Sequence, residues 1–554
     1  MKKIVVKLLK PLVRLDKKEI ESLIEIPPNP NLGDFAFPCF SLAKVLKKNP
    51  VEISKDLAKR LNKKLPVEID KVLSTGPYLN LFTNKNLLAS VVIKDSLKAG
   101  FGKNDDGNGR NFVIDMSSPN IAKPFGVGHL RSTIIGNSLA KIAEANGYES
   151  VKINYLGDWG TQFGKIIFGY KKFGNKKKLE ENPLKYLQEI YVKSNAKDYE
   201  EGSREEFKKL EDGNTESLKL WKKFKDLSLK EFNSIYNTLG IKFDVTSGES
   251  LYNDKMGKVL KDLEKKKLLK KDGGALVVDL KKEGLGVALI QKSDGTSLYV
   301  TRDLAAAIER KKEYNFMYLI YEVGSEQKLH FKQIFKILEK LGYGWANGCF
   351  HVAHGLYLDK DGKKFATRKG KTVFMKDILD EVKEKAMKNL KAREKLPRKE
   401  LEKRAKKITI AAIFYGDLKN NRENNMIFDI DKFLNFEGNT GPYLLYSYAR
   451  ASSLLKKVKN KQKLAIGKLN DSEIKLVKKI GDFPDVVKLS FKNLAPNLIA
   501  NYSYELSQAF NEFYHKSPVL GSSEEGFRLK LVEAFKFTLE KSLDLLGIGV
   551  LEEM

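Results

Sequence analysis

The chain is poor in cysteine and in uninterrupted apolar sequence. Only Cys39 and Cys349 occur in 554 residues, far apart and outside any CxxC or Cys/His cluster. That argues against a zinc ribbon or a disulfide scaffold, and two plain core thiols in a reducing cytoplasm fit. No apolar run approaches the length of a membrane span. The opening MKKIVVKLLKPLVRLDKKEI lacks the continuous apolar stretch of a signal peptide, and its Asp16 and Glu19 argue against a transit peptide. There is no repeat at fixed period. What the chain has in excess is positive charge, a formal +30. Lysine and arginine displace counterions from phosphates, so a nucleic-acid partner ranks ahead of a lysine-biased composition. The length exceeds what one core organises, and several domains are expected.

Residues 1–105 read as a small α+β domain. Apolar alternation in KIVVKLL and in VLSTGPYLNLFTN predicts strands, and NPVEISKDLAKRLNK places Ile53, Leu57 and Leu61 on one helical face. FGKNDDGNGRN, residues 101–111, reads as a linker. FVIDM then predicts a strand, followed by a Ser/Pro/Asn/Gly loop and the amphipathic helix LRSTIIGNSLAKIAEANG. Leu130, Ile134, Ile135, Leu139, Ile142 and Ala143 share its face, and Gly147 is its C-cap. SVKINYLGD is the next strand. Strand, phosphate-sized loop, helix and strand begin a Rossmann-like parallel sheet. This α/β domain spans 106–375, with a Lys/Glu-rich helical insertion at about 170–270. Alternation returns in ALVVDL and GVALIQKSDGTSLYV. FMYLIYEV precedes the helix QKLHFKQIFKILEKLG, and FHVAHGLYL precedes the cationic loop DGKKFATRKGKTV. Residues 376–554 are helical almost throughout and form an all-α domain.

In GVGH, Gly126 and Gly128 let a backbone approach a ligand, and His129 stands where a helix begins. A helix N-terminus attracts phosphate through free N–H groups and its dipole. Alone, the motif reads equally as a tight turn with a capping histidine. Lys123 in the same loop, and Lys363, Lys364, Arg368, Lys369 and Lys371 in the second loop, supply cations suited to a triphosphate; a solvated hairpin tip is the plainer reading of the second loop.

Six segments, taken in order, carry a resemblance: SSPNIAKPFGVGHLRSTIIG, NYLGDWGTQFG, QKSDGTSLYVTRDLAAA, DGKKFATRKGKTV, FEGNTGPYLLYSYAR and LLGIGVLEEM. Along nearly its whole length the chain resembles the class I arginyl-tRNA synthetases. The resemblance implies activation of L-arginine with ATP and its transfer to the 3′ end of tRNA(Arg). It implies an arginine pocket of Asp115, Asn120, Tyr299, Asp303 and Gln327, whose carboxylates and amides suit a planar guanidinium. ATP would lie over Gly126, Gly128, His129 and His330, and His129, Lys123, Lys364 and Arg368 would serve the transfer. Asp158 and Trp159 would belong to a rim loop, or to a turn and its packing anchor. Tyr446 and Arg450 of the C-terminal domain, beside Tyr443 and Tyr448, would meet unstacked bases of the anticodon loop. IPPNPNLGDFAFP is the recognisable piece of the family's N-terminal tRNA-contacting module. Without the resemblance, Tyr299 reads as core, Asp303 as an N-cap, His330 as structural, and some of the tyrosines as buried. Mg²⁺ is expected with ATP, with no dedicated ligands; a cytoplasmic monomer with no membrane contact is expected.

The chain departs from the family at three points. Gly126 stands where the first histidine of the HIGH signature is usual. Thr367 stands where most class I enzymes carry a second lysine, for which Lys123 would substitute, and Asp115 replaces a longer glutamate. Gly126 therefore leaves open a tRNA-binding paralogue with weak or no aminoacylation. A generic basic RNA-binding protein leaves the α/β motifs unexplained, and a different class I specificity is a further alternative.

Overall fold

The structure is a computed structural model. It describes residues 2–293, 299–365, 367–368, 371–372, 374–392, 395–458 and 465–554, without the side chains of Lys3, Pro30, 367–368 and 371–372. Among the sequence candidates, Lys369 and the side chains of Thr367, Arg368 and Lys371 lie outside the described residues.

The chain divides into two compact units, Met1–Phe101 with Leu454–Asp482 and Gln508–Thr538, and Gly102–Ser453 with Phe483–Ser507 and Leu539–Met554. Segments of the expected C-terminal domain thus contribute to both. In the first unit, Ile69–Thr75 and Tyr78–Thr83 form a hairpin, joined by Phe35–Pro38 into an antiparallel sheet. Gly76, at φ 56°, makes the tight connection. The helix Pro50–Leu61 buries Ile53, Leu57 and Leu61, roughly 1.5–3 kcal/mol for each such side chain. KIVVKLL is not the strand its alternation predicts. It is the helix Lys2–Leu9, because Val5, Val6 and Leu9 fall on one turn-spaced face and all are buried. Asp34, from the IPPNPNLGDFAFP piece, accepts from the Thr83 N–H and hydroxyl at 2.8 and 2.7 Å and pairs with Lys85 and Lys478. Burial opposes its charge, but the two ammonium groups prevail and hold its carboxyl down at about 2.

The second unit is built on a five-stranded parallel sheet: β1 (Asn111–Asp115), β2 (Glu149–Leu156), β3 (Val245–Gly248), β4 (Tyr318–Gly324) and β5 (Cys349–His354), in the order β5–β4–β1–β2–β3. The strand β3 falls inside the stretch expected as a helical insertion, whose helices run from Lys176 to Leu239 before the chain returns to the sheet edge. The helix α1 (Val127–Ala145) follows β1 and buries the six predicted residues together with Arg131. Gly147, at φ 79°, turns the chain beyond it. The linker stretch is tied to this helix end: Asn104, Gly107 and Gly109 donate to the carbonyls of Ala145, Asn146 and Gly147 at 2.8–2.9 Å. Four more helices matter below: α2 (Thr215–Leu239), α3 (Tyr299–Tyr314), α4 (Lys328–Lys340) and α5 (Arg398–Leu418). The apolar alternation that ran on through SLYV ends instead in α3, so Tyr299 opens a helix, half exposed. Strand order reverses at β1, and in such sheets the crevice beyond the strand ends receives the ligand.

Candidate active site

The loop after β1 is held in a conformation few residues adopt. Ser117, Ser118 and Ala122 have φ of 72°, 47° and 59°, left-handed values that cost side-chain-bearing residues energy and persist where surroundings over-determine them. The surroundings do so here. The Ser117 N–H donates to Ser132 Oγ at 2.9 Å, its hydroxyl meets Tyr236 at 2.7 Å, and the Ala122 N–H donates to Ser228 Oγ at 2.8 Å. Asn120 bridges to Gly157 at the end of β2, where a Cβ would lie 2.2 Å from the Asn120 amide oxygen. Asp158, buried beside it, pairs with Lys225 at 2.6 Å and accepts from the Ser250 N–H and hydroxyl, while its carbonyl accepts from Trp221 Nε1 at 2.8 Å.

At the start of α1, the His129 Nδ1 accepts from the Gly126 N–H at 3.1 Å. Burial, with the charges of His354 and Lys123, lowers the imidazole to about 4. A neutral ring whose Nδ1 accepts must carry its proton on Nε2, so His129 offers one donor. Gly126 itself has φ −89° and ψ 167°, ordinary extended backbone. Lys123 lies with its ammonium 5.2 Å from the ring centroid of Tyr191. Lys364, exposed, approaches Glu326 at 3.9 Å, and its backbone bridges to Leu358.

The acidic residues gather on the other side. Asp115 is buried and pairs with Arg310 Nη2 at 2.7 Å through one oxygen while accepting from the Ser118 hydroxyl at 2.8 Å through the other. Burial raises its carboxyl, with Arg310 acting the other way. Arg310 is itself buried, over the rings of Tyr155 and Tyr321 at 5.0 and 5.5 Å. Asp303 accepts from His330 Nε2 at 2.6 Å, so His330, expected beside ATP, rests against a residue expected in the arginine pocket. Glu249 lies 3.6 Å from Arg302 and feels the charge of Asp303; burial raises it to about 8. Tyr299 in turn feels Glu249 and Asp303. Gln327 is exposed at the turn between β4 and α4.

Four residues here went unmarked in the sequence. Arg310 sits in the charge run ERKK, which looks like a solvated face. Glu249 follows a short strand with no periodic signal. Glu322 and His354 lie inside β4 and β5, where apolar neighbours dominate; the His354 Nδ1 meets Glu322 Oε1 at 2.9 Å. Farther along the chain, Tyr446 and Arg450 share a face of the helix Gly441–Lys456. The guanidinium lies 4.8 Å over the ring and donates to its hydroxyl at 3.3 Å, and Tyr448 is buried.

Three family models match the chain: tRNA synthetases class I (R), catalytic domain, over residues 91–430; the DALR anticodon binding domain over 444–554; and the arginyl tRNA synthetase N terminal domain over 1–83. A relative from Clostridium perfringens named arginine–tRNA ligase is 46% identical, covering 100% of both chains. One of the same name from Lactococcus lactis is 44% identical, covering 98% of this chain and 97% of its own. The solved arginyl-tRNA synthetase of Plasmodium falciparum superposes with a TM-score of 0.81 at 27% identity, covering 100% of this chain and 98% of that one. The Thermus thermophilus enzyme shares the fold, with a TM-score of 0.83 at 24% identity over 99% and 98% of the two chains. With full-length relatives of this name, the non-charging paralogue finds no support. A strained, pinned signature loop beside a gathered acidic pocket, matched by these models from end to end, places the chain in the class I arginyl-tRNA synthetase family.

Proposed function

We propose that the protein is an arginine–tRNA ligase, and the observation that carries the reading is the acidic cluster of Asp303, Glu249 and Asp115, together with His129 at the start of α1. A guanidinium entering the cluster meets Asp303 and Glu249 as acceptors, with Tyr299, Asn120 and Gln327 completing its contacts. The arginine carboxylate attacks the α-phosphate of ATP in line, the bond to the bridging oxygen breaks, and pyrophosphate leaves. His129 Nε2 and the N-terminus of α1 bind phosphate oxygens, and Lys123, Lys364 and Arg368 neutralise charge on the departing group. A terminal ribose hydroxyl of tRNA then attacks the adenylate carbonyl and releases AMP. Lysine and citrulline are rejected because each leaves buried acceptors unpaired or mismatched. ATP and Mg²⁺ come together on chemical grounds. Among the described residues no group of three His, Cys, Asp or Glu is placed to hold an ion, so no step is assigned to one.

Tyr446 and Arg450 contact the anticodon loop, Arg450 holding the exposed ring face for a base. The first 83 residues contact tRNA elsewhere. The enzyme works as a cytoplasmic monomer; no helix of the described residues is long and apolar enough to cross a membrane. The test offers ATP, labelled arginine and a tRNA preparation and measures acid-precipitable arginine. Arginine charging is expected, and charging of another amino acid in its place would overturn the specificity.

A further inference from the structure

Gly126 removes one imidazole from the nucleotide side of the site, yet the fold brings another there. His354 is the last residue of β5, in register with Gly324, the last residue of β4. Both lie at the strand ends where the sheet receives its ligand. The ring is 7% exposed. Its Nδ1 is fixed by Glu322 at 2.9 Å, and Glu322 is itself buried. A carboxylate only accepts, so Nδ1 carries a proton. The other nitrogen, Nε2, has no partner among the described residues and points past Gly324. A Cβ built on Gly324 would lie 3.9 Å from it and 2.6 Å from the carboxylate of Glu326. Glu326 is the residue that Lys364 approaches at 3.9 Å. From the other side, His354 lies close enough to His129 to help lower its pKa. His354 thus stands among the first signature, the second signature loop and the sheet crevice.

We propose that His354 is a nucleotide-binding residue, its Nε2 donating to a phosphate oxygen of ATP and supplying the imidazole contact that Gly126 cannot. The assignment rests on the ATP-dependent reading above. Because Nδ1–H is committed to Glu322, Nε2 carries a proton only when the ring is charged, so the donor and the positive charge arrive together. The surroundings favour that state. Burial opposes it, but Glu322 prevails and raises the ring above its ordinary value. The groups facing it are Glu322 on β4, Arg131 on α1, Asp417 on α5, His351 on its own strand and His129. Arg131, buried against Asp417 at 3.4 Å and over Tyr357, closes the back of this cluster.

Calorimetric titration of the full chain with ATP, run beside arginine charging, tests the assignment. His354→Phe is expected to weaken ATP binding about tenfold, as loss of one charge-assisted hydrogen bond would, and His354→Gln, which keeps an amide donor, to stay within about threefold of wild type. Wild-type binding should weaken as pH rises through the imidazole's raised range. The limb should vanish in His354→Phe and move to lower pH in Glu322→Gln, a shift that a merely structural role would not produce. Equal ATP affinity in wild type and His354→Phe overturns the proposal, as does a limb that Glu322→Gln leaves in place. Intact, His354-dependent ATP binding without arginine charging would support it while counting against the arginine reading alone.

Discussion

The two sides of the site are built on opposite plans. On the arginine side every carboxylate already has a partner: Asp115 with Arg310, Asp303 with His330, Glu249 near Arg302. On the nucleotide side the cationic and donor groups stand apart: Lys364 and Gly128 are exposed, Lys123 rests on a ring face, and His354 keeps one nitrogen open. The difference follows from what each side receives. A guanidinium is one charge with fixed donor directions, so its pocket must be rigid beforehand, and buried ion pairs fix geometry. A triphosphate brings several charges and its own bound counterions, so cations waiting on loops suffice. The pH behaviour separates in the same way. Glu249 on the arginine side gains from deprotonation, and His354 on the nucleotide side loses its open donor by it.

The sharpest way to break this comparison is to remove Arg310. Arg310→Met leaves Asp115 buried without its counter-charge, and unfolding free energy should drop by about 3 kcal/mol, read by denaturant titration. A loss within experimental error would show that the pair does not hold the arginine side rigid. Asp303→Asn should keep the fold and lower kcat/KM for arginine about a hundredfold, with the ATP KM little changed; an equal change in both constants would erase the division between the two sides. Introduced into His354→Phe, Gly126→His should raise tRNA-dependent arginine–pyrophosphate exchange about tenfold. The backbone there is ordinary, and a Cβ would meet only His129 Nδ1 at 3.9 Å, normal contact. Equal or lower activity would mean that the two imidazoles do not serve the same contact. The smallest effect concerns Glu249, which burial keeps neutral until about pH 8. Ionisation adds an acceptor for the guanidinium, so KM for arginine should fall about threefold between pH 7 and 9, and Glu249→Gln should flatten the curve. A KM that rises over this range would place Glu249 outside the pocket.

Much of this could be read from residue order, and some could not, for definable reasons. The periodicity of Leu130, Ile134, Leu139 and Ile142 declared α1, and Gly147 its end, because an amphipathic helix needs only its own sequence to show its buried face. KIVVKLL misled, because five apolar residues in seven satisfy both a period of two and a helical turn, and packing chose the helix. The short strand β3 hid inside the Lys/Glu-rich stretch because an edge strand of four residues carries almost no pattern. The tyrosines of the helix Gly441–Lys456 looked alike, and only burial separated Tyr448 from Tyr446.

What the sequence determined alone was the family and the identity of the signature loop, since six ordered motifs and the placement of glycine, histidine and lysine within them are one-dimensional facts. Gly126 belongs to that class: its missing imidazole is visible without coordinates. What only the tertiary structure decided were the partnerships. Arg310 reaches Asp115 from a charge run, and His354 reaches the nucleotide side from an apolar strand, across 195 and 32 residues from their partners Asp115 and Glu322. Pairing across such separations depends on which strands lie side by side, and the order β5–β4–β1–β2–β3 is set by packing of the whole sheet.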